Sequence, residues 1–375
     1  MIHNEFIKSI VERLYPFSYG INRSGNDDAI EKFMHELDFV VHEYEDGEEL
    51  NGWSIPENEK VTKAEIRLDG KLIYDGLSSP LGTIMACTGF TGKVSLFELK
   101  EHLYFKDSDP DAIVFNCMQF YRPAKNTWGF CIQKKIFDAL KEGEYEIDIR
   151  VERDPRKMRV LDYTLPGESD ETIIIQAHNC HPYQANDDIS GCACGIEMIK
   201  RLMNIKHRRY TYRLIICPEL TGTMFWLDAH NHLADKFISA IILAAVGNDS
   251  ELKVQYSFTG NALVDDSARH VFDCKYGNYI SGPFRTIYGN DETVFESPGF
   301  SIPSISLTRY PFPEYHSNKD TPDIVKEDML QDTVDTGLQI CQVMEMNVSY
   351  KFIKKGLFCL SHPKYNLYKM AWDPS

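Results

Sequence analysis

Residues 173–202 read IIIQAHNCHPYQANDDISGCACGIEMIKRL, and this stretch decides the fold. With Thr172 it opens on a short continuous apolar run ending at Ala177, the pattern of a strand buried on both faces. It closes on SGCACGIEMIKRLMN, which has the small residues and apolar spacing of a helix packed closely on a sheet. Between strand and helix lie His178, Cys180, His181, Asp187 and Asp188.

The same rhythm recurs downstream. YRLIIC is a second buried run, followed by the helical TGTMFWLDAHNHLADK; ISAIILAAV is a third and SIPSISLT a fourth. KEDMLQDTVDTGLQICQVMEM reads as a last helix. Such alternation predicts an α/β fold, a mostly parallel mixed sheet flanked by helices. At the N-terminus HNEFIKSIVERLYPF reads as a helix ending at Pro16, and AIEKFMHELDF as another, with Asn26 or Asp27 as its cap. Residues 46–155 differ in character. KAEIRLDGKLIYDG alternates about a turn at Asp69-Gly70, and EYEIDIRVER continues the strand pattern. They are expected to form a small β-rich domain inserted into a core made of 1–45 and 156–375.

Composition bounds the function. The 375 residues are 43% hydrophobic, ample for a packed core, and their net charge of −16 argues against nucleic acid or an anionic membrane as partner. No segment approaches the ~20 uninterrupted apolar residues of a membrane span. The N-terminus lacks a secretory pattern, and ten scattered cysteines without a Cys-x-x-Cys pair fit reduced thiols. A cytoplasmic protein is expected, with a homodimer as the default association.

In open α/β sheets ligands bind beyond the carboxyl ends of the strands. His178 and His181 follow the first run, Glu219 follows the second, and His316 follows SISLT, so residues distant in sequence are expected to meet at one sheet edge. Histidines, a carboxylate and an open position describe a catalytic zinc site, with Glu219 as general base and Asp187 as a ligand. Each piece also has an ordinary role: NDDISG is a good helix cap, and a histidine after a strand is commonly a hydrogen-bonded loop residue. His207, His230 and His232 read as solvated, and no nucleophile elbow or phosphate loop is present.

The motifs HNCHPYQAND, GNDETVFESPGFSIPSISLTR and EYHSNKDTPD, together with GWSIP and WGFC, resemble the zinc aminopeptidases of the bacterial leucyl aminopeptidase type. Within that superfamily the resemblance is to the bacterial aminopeptidase-like family often encoded beside surface-polysaccharide genes. It implies His178 as a zinc histidine, Asp187 as the metal carboxylate with a cis peptide bond after it, Glu219 as base and His316 as the last histidine. Asp291 matches a loop acid near the substrate. Where the two-zinc relatives carry a second carboxylate after the base this chain has Leu220, and their other ligand falls at Ala244 or Ala245. Cys180 replaces the acid behind the first histidine. One zinc ion is therefore expected, held by Asp187, His316 and one or both of His178 and His181. The relatives' C-terminal winged helix is expected to be absent.

These features lead to a zinc-dependent amide hydrolase, an aminopeptidase for a small peptide. Asp291, Glu292 and Glu314, with Tyr315 and Arg309, are the candidate substrate-binding residues. Two readings stay open: an amidase or deacylase acting on an amino sugar or an aminoacyl conjugate in a biosynthetic pathway, and a non-catalytic binding protein that retains the fold.

Overall fold

The strand Thr172–His178 runs through the middle of an eight-stranded sheet, buried at every position. In this computed structural model, which describes residues 6–117, 127–370 and 372, its parallel neighbours are Thr211–Cys217 on one side and Phe237–Ala244 on the other. The chain therefore leaves the first strand to one side and crosses to the opposite side, which opens a crevice at its carboxyl end. Ser304–Thr308 adds a fourth parallel strand beyond Phe237–Ala244. Antiparallel strands flank this centre: Met158–Leu165 with Val40–Tyr44 at one edge, Lys253–Gln255 at the other, where Ser281–Gly282 closes the order. The mixed α/β sheet expected from the strand–helix rhythm is present.

Helices cover both faces. Ile7–Leu14, Ser190–Met203 and Glu327–Met346 pack on one, with Val11, Ile196 and Val334 fully buried. Thr221–Ala229 lies on the other, with Trp226 in its core. Burying a branched aliphatic side chain is worth about 1.5–3 kcal/mol, and coverage on both sides is why these strands read as unbroken apolar runs. Gly191 is required where the helix meets the sheet: a Cβ there would collide with the Asp188 carboxylate and the Leu243 carbonyl.

The second N-terminal helix spans Ser24–Glu36, so Asn26 and Asp27 lie inside its first turn and do not cap it. Asn26 instead accepts from the Gly20 N–H at 2.9 Å and donates to the Asn179 carbonyl at 3.1 Å, while Asp27 pairs with Arg156. A separate four-stranded antiparallel sheet is formed by Lys71–Asp75, Glu59–Leu68, Glu144–Arg153 and Phe90–Ser95. It has its own core around Ile66, Ile147, Ile149 and Phe130. Residues Met346–Ser375 form a unit by themselves, in which the described residues after Met346 are turns, bends and irregular chain, mostly exposed.

Candidate functional site

Each of the four parallel strands is followed by a non-glycine residue in the left-handed region: Tyr183 (φ 54°), Leu220 (φ 59°), Ala245 (φ 54°) and His316 (φ 52°). Such positions cost about 1–3 kcal/mol each and persist only where the surroundings fix them. Buried carboxylates do much of that fixing. Asp188 accepts from the N–H groups of His178 (3.1 Å), Gly191 (3.1 Å) and Ala245 (3.0 Å). Asp291 accepts from Leu220 N at 2.8 Å and from Gln176 at 2.8 Å. Asp320 accepts from Asn186 N at 2.7 Å and Asp187 N at 3.0 Å. The strand exits are thus tied together, and the Asp187–Asp188 peptide bond among them is cis.

Asp187 is fully buried at the meeting point. Its Oδ1 lies 3.1 Å from His178 Nε2 and accepts from the Tyr288 hydroxyl at 3.1 Å. Its Oδ2 faces His181 Nε2 at 3.5 Å and His316 Nε2 at 3.4 Å. Burial alone would raise this carboxyl, but His178 at its Oδ1 holds it well below the usual range. His178 is spanned by carboxylates: its Nδ1 is 3.4 Å from Asp188 Oδ2 and 3.2 Å from Asn290 Nδ2. Against the opposing effect of burial, Asp188 and Asp187 push it up to about 10.

His181 differs from His178. Its Nδ1 lies 2.9 Å from the Pro182 carbonyl, which can only accept, so Nδ1 carries the proton and Nε2 presents a lone pair. That lone pair and Asp187 Oδ2 are both buried without a hydrogen-bond partner among the described residues. Two buried acceptors that face each other in this way are suited to a cation between them. With His316 they place three ligand atoms within 4.8 Å of one another, a donor set of imidazole, imidazole and carboxylate that fits zinc. A second group of ligand type is His178, Cys180 and Glu219.

Glu219 leaves the strand Thr211–Cys217 at the turn that Asp291 holds. Burial and the charges of Asp291 and Asp187 outweigh His178 and push its carboxyl up to about 8. It lines a cavity of 680 Å³ whose walls include Leu50, Trp53, Met224, Val294 and Phe300.

The remaining candidates fare unequally. Tyr315 stacks on the His316 ring at 3.8 Å. Glu314 is half-buried in the same loop. Asp291 and Glu292 are fully buried and engaged, Asp291 as above and Glu292 by the Asn290 N–H at 2.8 and 3.0 Å, so neither offers a free carboxylate to a substrate. Arg309 is a correction: its guanidinium is buried on the Val246, Ser250 and Met329 carbonyls and on Asp332 (2.6 Å), with each of its three nitrogens bonded within the fold, a structural arginine. His230 is also a correction, since it is not solvated but packs on Trp226 at 4.6 Å and bonds its carbonyl.

Sequence reading missed Phe115 and Lys106. Phe115 stacks on His181 at 4.4 Å, its N–H donates to the His316 carbonyl at 2.8 Å, and Lys106 Nζ reaches the Tyr315 carbonyl at 3.2 Å. No local motif marks them, because their roles come from a pairing across 200 residues. Asp320 and Asn290 lie inside the quoted motifs and could have been drawn from them.

A family described as a domain of unknown function, DUF4910, matches residues 8–347. The chain belongs to that family. It is 26% identical over 348 residues, 92% of its length and 79% of the relative's, to a Clostridium acetobutylicum protein named for polysaccharide biosynthesis and an aminopeptidase-like domain. A crystal structure from Clostridium acetobutylicum, named as a peptidase, superposes with a TM-score of 0.80 at 25% identity over 90% of this chain and 80% of that one. A zinc aminopeptidase from Bacillus subtilis aligns with a TM-score of 0.66 at 14% identity, covering 89% and 93%. The fold is that of the zinc aminopeptidases, as the motifs implied, and two groups able to hold a metal ion, His181 with Asp187 and His316 and His178 with Cys180 and Glu219, lie at its strand exits. No described helix is long and apolar enough to cross a membrane.

Proposed function

We propose that this chain is a zinc-dependent hydrolase of amide bonds, with one ion held by His181, Asp187 and His316 and with Glu219 as general base. The observation that carries the reading is the pair of buried, partnerless lone pairs on His181 Nε2 and Asp187 Oδ2, with His316 beside them. Bound there, zinc supplies a Lewis acid for a carbonyl oxygen and brings the pKa of a water toward neutrality. Glu219 accepts the proton of the attacking water on its carboxylate and returns it to the leaving amine. Tyr288 and His178 fix Asp187 from its other oxygen, so Oδ2 stays aimed at the ion.

An aminopeptidase for a small peptide is the reading supported by likeness of fold to the zinc aminopeptidases. It needs an acid to seat a free ammonium group. Asp291 and Glu292 are engaged elsewhere, which leaves Glu314 of the three expected acids. Action on an amide-containing metabolite, such as an amino-sugar amide, is supported by the name of the Clostridium relative. The cavity is formed partly by Leu50, Asn51 and Trp53, within residues 46–155, which we read as an inserted module that shapes the substrate entrance. The acidic chain is expected to work without nucleic acid or membrane.

The test is metal analysis of the purified protein followed by hydrolysis of aminoacyl anilides and N-acyl amino sugars. About one zinc per chain and amide cleavage that vanishes in Glu219→Gln are expected. A protein that takes up no zinc, or cleaves neither class, is a binder that keeps the fold.

A further inference from the structure

The 680 Å³ cavity beside Glu219 is within the size range of small-molecule sites, about 300–1,000 Å³. Its charged lining residues are Glu219, Asp228 and Arg285, so Arg285 is its one cation among the described residues. That cation stands in a chain of net charge −16, close to the buried acid Glu292.

Arg285 is not consumed by the fold. Among the described residues its guanidinium makes no hydrogen bond, and its one ion pair, Nε to Glu292 Oε1, is long at 3.9 Å. Glu292 is already committed, since both its oxygens accept from Asn290 N. The guanidinium lies over Gly289, where a Cβ would come within 3.2 Å of its terminal nitrogen, so the absence of a side chain there leaves room for it on the cavity wall. Arg309 shows the contrast, with every donor group bonded in the interior. A planar fork of free donors beside an apolar wall suits a carboxylate or phosphate, which it can take through two parallel hydrogen bonds.

We infer that Arg285 receives an oxyanion, carboxylate or phosphate, carried by the apolar part of the substrate that fills this cavity. The inference rests on the amide hydrolase reading for the bond that is cleaved, and it narrows the substrates to anionic amides. The seat for the anion is independent of the metal and of Glu219. A substrate recognised in this way does not depend on a free ammonium group, consistent with the engagement of Asp291 and Glu292.

Calorimetric titration of the zinc-loaded full chain with three matched probes tests it: 4-phenylbutyl phosphate, 4-phenylbutyrate and the neutral 4-phenylbutanol. At least one anion is expected to bind about tenfold or more tightly than the alcohol. Which anion gains more tells phosphate from carboxylate. Arg285→Met should erase the difference while the alcohol binds as before, and Arg285→Lys should restore part of it. Equal binding of all three probes, no binding, or a preference that survives Arg285→Met overturns the proposal; the last places the anion elsewhere, the metal included. Weakening of all three probes alike in Arg285→Met would make the residue structural and also overturn it. The two readings fail separately. Amide cleavage without anion preference removes only this one, and anion preference without zinc or cleavage removes only the hydrolase.

Discussion

Asp187 Oδ2 and His181 Nε2 lie 3.5 Å apart in the interior, and neither has a hydrogen-bond partner among the described residues. His178, the last residue of its strand, contacts the other oxygen of the same carboxylate through Nε2 and faces Asp188 through Nδ1. The two histidines therefore have unequal parts. His181→Ala should lower zinc content well below that of the parent, whereas His178→Ala should keep most of its zinc and lose activity through a misaligned Asp187. Metal analysis after dialysis decides: zinc retained in His181→Ala and lost in His178→Ala would exchange the assignments.

Glu219 carries opposite consequences for rate and stability. Replacing it by Gln should cut kcat for an amide by roughly 10²–10⁴ while zinc stays bound. In metal-stripped protein its carboxyl is raised from 4.5 to about 8, so between those values the folded state holds a proton that the unfolded state has lost. Stability must then fall as pH rises through that window. Glu219→Gln cannot ionise and should melt several degrees higher at pH 8, and equally with the parent near pH 4. A melting curve with no gain at pH 8 would refute the burden assigned to this carboxylate.

How far the sequence carried this site depended on the range of the interactions. Buried strands and their exits are local signals, so TIIIQA, YRLIIC and SISLT placed His178, Glu219 and His316 at one edge. The choice between His178 and His181 was not local. The assignment proposed above rests on the Pro182 carbonyl fixing the His181 tautomer and on Asp188 facing the His178 ring. Arg309 looked like a free charge because its partner Asp332 becomes a neighbour only through the fold, and Glu292 did because its turn back onto the Asn290 N–H, two residues away, is a matter of loop conformation that no motif marks. The short strands Lys253–Gln255 and Ser281–Gly282 carry too few residues for a period to show.

Phe115 and Lys106 bind the His316 loop from outside the central sheet. The Phe115 ring covers His181 at 4.4 Å and its N–H holds the His316 carbonyl, so the two imidazoles share one support. Residues behind metal ligands typically change affinity by roughly 10- to 100-fold. Phe115→Ala should weaken zinc binding by about the lower figure, and Phe115→Tyr should recover most of it. Competition with a chromogenic chelator reads this directly, and unchanged affinity in Phe115→Ala would show that the histidines are held without it.

A third group of metal-ligand type, His42, Asp162 and His230, provides a contrast. Asp162 is already saturated: Arg213 Nε at 2.8 Å, Trp226 Nε1 at 2.9 Å and His42 Nε2 at 3.1 Å all point at its oxygens. Unlike Asp187 Oδ2, it has no lone pair left facing another, and the guanidinium repels a cation. His42→Ala should thus leave zinc content unchanged. Burial would raise the Asp162 carboxyl, but His42, Arg213 and Trp226 lower it to about 2. A depressed folded pKa gives stability that is present above the ordinary value of 3.8 and lost as pH falls toward 2. Asp162→Asn strands Arg213 and should cost about 3 kcal/mol at pH 7, with the gap to the parent closing below pH 3. Denaturant unfolding at the two pH values measures both, and a gap that persists at pH 2 would mean that the loss comes from packing and not from charge.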